Sequence, residues 1–264
     1  MLEQVLSSNE TYNRDFSDYY DRITKHKDYR AEIDALVRFI RQEVHHRSPR
    51  VLDVGCGTGS HAALLAGEGF DLTAIDLSPD MIRIAASKSA QVNFKSGDIA
   101  AMPESGFHFS YSLFNVINCL TSMESLVAFF KAIYARLEPG GGLLVESWNP
   151  IAVVAAPPEI VERIYEYEDE KIVRKVTPSS DFLRQRLDLR YDVDVYGTGD
   201  RADKLKSFTV VHQLLLFTPL EVEYCLKQVG FDEINIRTAL PELAEATATD
   251  RMLAFTARKP SALN

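Results

Sequence analysis

The sequence predicts an α/β fold: a doubly wound, mostly parallel sheet of seven strands with helices on both faces, an N-terminal helical cap, and an inserted antiparallel β lobe. Three observations carry that expectation. A short apolar run, Val51-Leu52-Asp53-Val54, is followed by glycines at every second position, Gly55, Gly57 and Gly59, and then by a helical stretch from about Ser60. Further apolar runs alternate with helical patterns as far as Trp148, the βαβ order that builds parallel sheets with right-handed crossovers. Beyond Trp148 polar and apolar residues alternate at period two, which reads as antiparallel strands.

The elements follow in order. Residues 1–28 are polar and aromatic, with Tyr12, Phe16, Tyr19 and Tyr20 close together. Tyr29, Ile33, Leu36, Val37, Ile40 and Val44 then share one helical face, and Ser48-Pro49 stops that helix. This piece, residues 1–48, is too small to own a core and is expected to lie as a cap beside the cleft. Residues 49–150 hold the parallel half. Ala62, Leu65 and Ala66 face inward on a helix stopped by Gly69, and the run Leu72-Thr73-Ala74-Ile75 ends in Asp76. Ser78-Pro79 caps and opens the next helix, through Met81, Ile82, Ala85 and Ala86. Val92-Asn93-Phe94 reads as the third strand, with Gly97-Asp98-Ile99 at its carboxyl end, where open parallel sheets bind ligands.

Phe107 to Phe114 is the fourth strand, opening into Asn115-Val116-Ile117-Asn118-Cys119. Thr121-Ser122-Met123-Glu124 reads as a capping box for a helix striped by Leu126, Phe129, Phe130, Ile133 and Leu137. Pro139 and Gly140 to Gly142 end it, and Leu143-Leu144-Val145 makes the fifth strand. Residues 151–217 form the lobe, a lid or a dimer contact. Its runs are Arg163 to Val176, Arg184 to Tyr196 and Leu205 to Phe217, with a turn containing Pro178. In residues 218–264, Thr218-Pro219-Leu220-Glu221 caps a helix ending at Gly230. Phe231 to Thr238 and Met252 to Arg258 close the sheet as an antiparallel pair.

Composition narrows the function. The chain has 264 residues, 46% hydrophobic and 25% charged, with net charge −9, so nucleic acid would be repelled overall. No apolar stretch of signal-peptide length opens the sequence, and the longest uncharged run, Phe107 to Met123, carries Ser, Asn, Thr and His. Neither reads as a membrane segment, and the expected compartment is the cytoplasm. Without a secretory signal the sequon Asn9-Glu10-Thr11 reads as chance. Cys56, Cys119 and Cys225 are odd in number and far apart, giving neither a disulfide framework nor a metal site.

The chemistry starts at the glycines. Without Cβ atoms they let bare N–H groups approach a ligand, and the following helix points its positive end to the same place. Asp76, on the tip of the second strand, is placed to accept both hydroxyls of a ribose. The dinucleotide pattern G-x-G-x-x-G would need glycine at position 60, where Ser60 stands. Asp53-x-Gly55-x-Gly57-x-Gly59 instead resembles motif I of the class I S-adenosylmethionine-dependent methyltransferases, whose fold is Rossmann-like. That resemblance implies S-adenosylmethionine as cofactor, with Asp53 at its amino-acid end and Gly55, Cys56, Gly57 and Gly59 beneath the methionine and ribose. It implies Asp76 on the ribose, Asp98 on the adenine amine and Ile99 over the ring. Tyr20, Tyr29, Leu77, Met81, Gly97, Leu113, Phe114 and Asn115 complete the implied cofactor contacts. The family usually has an acid where this chain has His108.

Enzymes that methylate nucleic-acid bases resemble one another in an Asn/Asp-Pro-Pro-aromatic motif; Ser112-Leu113-Phe114-Asn115 stands there instead. Tyr20-Asp21, Asp28-Tyr29, His212 and Phe217-Thr218-Pro219 resemble the N-methyltransferases that finish amino sugars such as desosamine and mycaminose. Those enzymes are dimers that bind a nucleotide-linked sugar, which implies such a small molecule as acceptor and a homodimer through the lobe. They often carry His or Tyr just after the fourth strand, where this chain places Cys119. The candidates at the chemistry are Tyr20, Asn118 and His212. Asparagine can orient an acceptor but cannot act as a base, and a histidine in an apolar strand is more often packed and neutral. O- or C-methylation of a sugar or small metabolite, an NAD(P)-dependent oxidoreductase and a non-catalytic cofactor-binding subunit all stay open at this stage.

Overall fold

The first strand, β1 (Arg50–Val54), lies at the centre of a parallel array in the computed structural model, which describes residues 12–198 and 203–261. The Asn9 sequon lies outside the described residues. In chain order the elements are α1 (Arg14–Ile23), α2 (Tyr29–Glu43), β1, α3 (Ser60–Ala66), β2 (Asp71–Asp76), α4 (Pro79–Lys88), β3 (Asn93–Ser96), β4 (Phe107–Ser112), α5 (Met123–Arg136), β5 (Leu137–Trp148) and α6 (Pro150–Ala155). The lobe follows as β6 (Val161–Glu166), β7 (Glu170–Asp181), β8 (Arg186–Gly197) and β9 (Lys204–Leu215), and the chain closes with α7 (Pro219–Val229), β10 (Asp232–Thr238) and β11 (Met252–Arg258).

The large sheet has seven strands in the order β10-β11-β5-β4-β1-β2-β3. All neighbours from β5 to β3 are parallel, and β11 is antiparallel to both β5 and β10. Alternation along the strands divides the core between two faces. Leu52, Val54, Leu143 and Val145 pack under α5 and α7, whereas Val51, Leu72, Ala74 and Leu144 pack under α2 and α3. Strand order reverses between β1 and β4, so their carboxyl ends open the crevice where such sheets bind ligands.

Local chemistry moved several boundaries. Phe114 and Asn115 both have φ +62°, so β4 stops at Ser112 rather than at Phe114. The register between β4 and β5 shifts between Phe107 and Phe109, and the residues between Leu137 and Gly142 form an irregular start to β5. Gly142 is required there because a Cβ would stand 2.7 Å from Phe109 Cδ2. The cap of α5 is Ser122 with Ser125, one residue later than expected, whereas the Thr218–Glu221 box forms as read.

The lobe has four antiparallel strands in sequence order. The run Arg163 to Val176, expected to be one strand, is a hairpin folded at Tyr167, whose N–H donates to the Glu170 carbonyl at 2.9 Å. Pro178 is not in the turn: it lies inside β7 opposite Leu189, past the last β6 pairing at Val161↔Val176. There β7 has become an edge, where proline is tolerated. The turn falls instead at Phe182 to Gln185, with Gln185 left-handed at φ 54°. Phe16 and Ile23 of α1 pack with Met81 of α4 and with Ile172, Val193, Val195 and Val210 of the lobe. The cap helix is therefore clamped between the lobe and the parallel domain.

Candidate active site

The glycine loop is tied to the tip of β2. The Gly55 and Cys56 N–H groups both donate to the Ile75 carbonyl, at 2.8 and 3.1 Å. Its glycines have positive φ, but they do different work. A Cβ on Gly55 would lie 2.5 Å from Val116 Cγ2, and one on Gly59 would lie 2.8 Å from Ala85 Cβ and Phe94 Cε1. At Gly57 a Cβ would meet nothing within 4 Å. Gly55 admits Val116, Gly59 admits α4 and β3, and only Gly57 opens onto free space.

Both acids sit at this rim. Asp76 Oδ2 accepts from the Gly57 N–H at 2.8 Å, and Oδ1 from the Ser78 N–H at 2.9 Å. Each oxygen keeps a lone pair for a ribose hydroxyl. Desolvation raises its carboxyl and the two amides oppose that rise. Asp53 is 3% exposed and accepts from the Tyr111 hydroxyl at 3.0 Å. Burial pushes it up to about 8, against the Tyr111 hydrogen bond and with the Asp76 charge adding to the rise. A buried acid so poorly compensated fits a cation such as an amino-acid ammonium. Open space at Gly57, paired acceptors on Asp76 and an under-compensated Asp53 together fit S-adenosylmethionine.

The other expected cofactor contacts divide. Leu77 is exposed beside Asp76, and Gly97, at φ +146°, has no neighbour within 4 Å of a Cβ. Asp98 is exposed, its Oδ1 accepting from the Ala100 N–H at 2.8 Å. Ile99 and Leu113 are buried, one in the core under α5 and the other in the core under α2 and α3. Met81 is 2% exposed and packs beneath α1 in the cluster of Phe16 and Ile23, the inward phase that the Ser78 cap sets. The Cys56 thiol is pushed well up by burial and lies 3.7 Å from the Gly57 carbonyl, a packed group rather than a reactive one. Tyr29 donates to Thr24 Oγ1 at 3.2 Å and packs edge-on against His61. Phe114 is held by its N–H on Glu146 Oε2 at 3.2 Å, and the buried Asn115 Oδ1 has no partner among the described residues. Two consecutive left-handed residues at the end of β4 store strain at the rim.

Several residues hold the site together in ways the sequence did not assign. Asp21 accepts from Thr58 Oγ1 at 2.6 Å and pairs with Lys88 at 2.5 Å, and the Ser78 hydroxyl donates to the Tyr12 carbonyl at 2.7 Å. These bonds lock the cap helix across the glycine loop. Glu32 joins His61 at 2.7 Å and Lys27 at 3.3 Å beneath Phe114. His108, standing in for the family's acid, accepts the Arg50 N–H on Nδ1 at 2.9 Å, a strand-start contact.

Joined to the rim through the Ser78–Tyr12 hydrogen bond lies a cage of closely packed aromatic rings. The His212 ring centroid is 4.9 Å from Tyr12, 5.0 Å from Phe16 and 4.7 Å from Tyr191, and Tyr20 lies 5.7 Å from Phe16. Tyr12 Oη is 3.8 Å from Cys119 Sγ. His212 is 9% exposed, its Nε2 has no partner among the described residues, and burial lowers it to about 4. Tyr20 is raised well above the ordinary phenol range by desolvation, with the charges of Tyr29, Tyr191, Asp21 and Asp76 adding to it, so it stays protonated at neutral pH. Tyr20 and His212 each pack against Phe16, and Asn118 is held elsewhere. Its Nδ2 donates to the Leu215 carbonyl at 2.8 Å, and its Oδ1 accepts from Ser147 Oγ at 3.2 Å and the Trp148 N–H at 3.0 Å. Wholly buried, it fastens the lobe to β5 and cannot present itself to an acceptor. Among the described residues no cluster of His, Cys, Asp and Glu is arranged to hold a metal, and no helix is long and apolar enough to cross a membrane.

Known proteins resemble this chain in sequence and fold. A methyltransferase-domain family profile matches residues 51–141. The dTDP-3-amino-3,4,6-trideoxy-alpha-D-glucopyranose N,N-dimethyltransferase of Streptomyces venezuelae is 29% identical over 83% of this chain and 91% of that enzyme. The dTDP-4-amino-2,3,4,6-tetradeoxy-D-glucose N,N-dimethyltransferase of Saccharopolyspora spinosa is 26% identical over 86% of this chain and 90% of that one. The crystal structure of Streptomyces venezuelae DesVI shares the fold, with TM-score 0.78 and 22% identity over 95% of this chain and all of that one. The chain belongs to the class I S-adenosylmethionine-dependent methyltransferases, and the oxidoreductase and non-catalytic alternatives end here. Within that class it is related to the amino-sugar N-methyltransferases.

Proposed function

We propose that the chain methylates the amine of a small acceptor, a nucleotide-linked amino sugar or a metabolite of that kind. The observation that carries this reading is the cage of Tyr12, Phe16, Tyr20, Tyr191 and His212 beside the glycine-loop rim. None of these side chains is itself a carboxylate, so an amine drawn against the rings is desolvated and favoured in its neutral, nucleophilic form. The cofactor, when bound, supplies an electrophilic methyl on a sulfonium. The chain's part is to align the acceptor and exclude water, and clamping α1 between lobe and sheet does both. An unpartnered His212 Nε2 inside the cage can accept one hydrogen bond from the acceptor and so orient it.

The same groups argue against an alcohol as acceptor. An alcohol needs a base, whereas His212, lowered to about 4, is a weak one, and Tyr20 and Cys119 hold their protons. The sugar relatives, which are similar along nearly their whole length, support an amino sugar as the first acceptor to try. The test is purified protein with methyl-labelled cofactor and dTDP-linked 3-amino- and 4-amino-deoxysugars, products read by mass. One or two added methyl groups on nitrogen are expected. Transfer only to hydroxyl or carbon acceptors would overturn the reading in favour of O- or C-methylation. The proposal includes a homodimer through the lobe, which sedimentation of the pure protein checks.

A further inference from the structure

Glu146 is a buried carboxylate that the methyl-transfer chemistry leaves unused. It sits on β5 opposite Ala254 of β11 and is 7% exposed. Its two oxygens serve two different loops. Oε2 accepts from the Phe114 N–H at 3.2 Å, just past β4, and Oε1 accepts from the Leu240 N–H at 3.0 Å, between β10 and β11. Stability alone is a poor reason for an acid in this place. Desolvation raises its carboxyl and the two amides oppose that rise, while Glu32 adds to it and Lys27 reduces it. His61 reaches the same group through its contact with Glu32. Two N–H donors in fixed positions nevertheless demand an acceptor at both ends, which a carboxylate offers. Glutamine in its place would turn an NH2 toward one of them.

The corner served by Oε2 is strained. Phe114 and Asn115 are both left-handed at φ +62°, an uncommon conformation for a residue as bulky as phenylalanine. Such strain persists where the surroundings over-determine it, and three contacts do so here. Glu146 holds the Phe114 N–H, and the Phe114 ring packs 5.3 Å from His61 with Lys27 over its face. Val116 fills the notch that Gly55 leaves. The corner therefore abuts the glycine loop at the crevice between β1 and β4. What it carries there is Asn115, whose buried Oδ1 has no partner among the described residues.

We propose that Glu146 is a positioning residue of the cofactor site: its carboxylate holds the left-handed corner so that the Asn115 amide oxygen accepts a hydrogen bond from the bound cofactor. The inference concerns cofactor binding and stands whatever acceptor is methylated. A protonated Glu146 would turn an O–H toward one of the two N–H groups and release that hold. Binding should therefore favour the ionised form and expel a proton as pH falls toward the raised value of this acid, above the ordinary 4.5.

The experiment is calorimetric titration of S-adenosylhomocysteine in buffers of differing ionisation enthalpy between about pH 5 and 7, which reads affinity and expelled protons together. Glu146→Gln should bind about tenfold more weakly and expel fewer protons than the parent. Asn115→Gly keeps the left-handed backbone while removing the amide, and it should lose a similar affinity and the same share of protons. The double variant should be no more than about twofold weaker than either single one, because both act through one contact. Parent-like affinity in Glu146→Gln, additive losses in the double variant, or an unchanged proton count in Asn115→Gly would each overturn the inference. The last needs only the Asn115 variant, so it decides the matter even if Glu146→Gln does not fold. A lowered melting temperature in Glu146→Gln with affinity and proton count intact would mark a purely structural acid and overturn it too.

Discussion

Asp53→Asn should make the cofactor-free protein more stable at pH 8 while weakening its grip on the cofactor. Asp53 is 3% exposed, and burial lifts its carboxyl to about 8 from an ordinary 3.8. Between those values the folded state holds a proton that the unfolded state has released. Stability of the free protein therefore falls as pH rises through that window and levels off above about 8. At ~1.4 kcal/mol per unit the window sets a ceiling of about 5–6 kcal/mol, and relaxation around the buried acid brings the working figure to about 3 kcal/mol. Asparagine keeps an oxygen for the Tyr111 hydroxyl, so the variant loses the ionisation without opening a cavity. At ~2–4 °C per kcal/mol for a domain of this size, it should melt roughly 6–12 °C above the parent at pH 8 and beside it at pH 4. Scanning calorimetry across pH reads this directly. S-adenosylhomocysteine affinity should rise toward pH 8 in the parent and stay flat and weak in the variant, because its ammonium recruits the ionised form. A variant that melts at or below the parent at pH 8 would show that Asp53 is not a strained buried acid.

Other perturbations separate the roles of neighbouring residues. Gly57→Ala should fold with a loss of about 1–2 kcal/mol, from its φ of +55° alone, yet lose most cofactor affinity, since its Cβ enters the open space. Gly59→Ala should do the reverse, costing about 2–3 kcal/mol in thermal unfolding through its contact with Ala85 and Phe94, with affinity retained in whatever folds. Asn118→Ala breaks three buried hydrogen bonds and should cost about 2–4 kcal/mol, read as faster proteolysis of the lobe with cofactor affinity kept. Lost turnover at unchanged stability would instead make Asn118 part of the chemistry. His212, lowered to about 4 from 6.5, binds fewer protons folded than unfolded, so stability is lost as pH falls from 6.5 to 4. His212→Phe should remove about 3 kcal/mol of that acid sensitivity in calorimetric scans from pH 7 to 4.

The parallel half was legible because its signals are local. A strand, a turn that needs positive φ and a capped helix are each written within a few residues, and β1, β2 and α4 fall where Val51, Asp76 and Ser78 place them. Where a residue's role depended on its phase or on a distant neighbour, the sequence was silent. Met81's packing under Phe16 and Ile23 followed from the Ser78 cap that fixed its phase, and the loop's glycines looked equivalent until Val116, Ala85 and Phe94 distinguished them. The lobe was read with one strand too few because period two continues through a tight turn as readily as through a strand. Pro178 looked like a turn because proline is a breaker, and only the end of β6 at Val161 shows why it is tolerated where it stands.

The cage makes the same point about chemistry. Its rings come from before and within α1, from β8 and from β9, and no spacing in the chain relates Tyr12 to Tyr191 or His212. What relates the last two is register. Leu189 stands opposite His212 and Val210 opposite Tyr191, so Tyr191 and His212 are diagonal neighbours on one face of the lobe. The turn ending at left-handed Gln185 joins β7 to β8, so a slip of one residue there would carry β8, and Tyr191 with it, to the other face relative to β7. The meeting of these rings is therefore a property of the lobe's pairing as much as of its residues. Acceptor preference should accordingly be more sensitive to changes at Gln185 than the distance from turn to cage suggests.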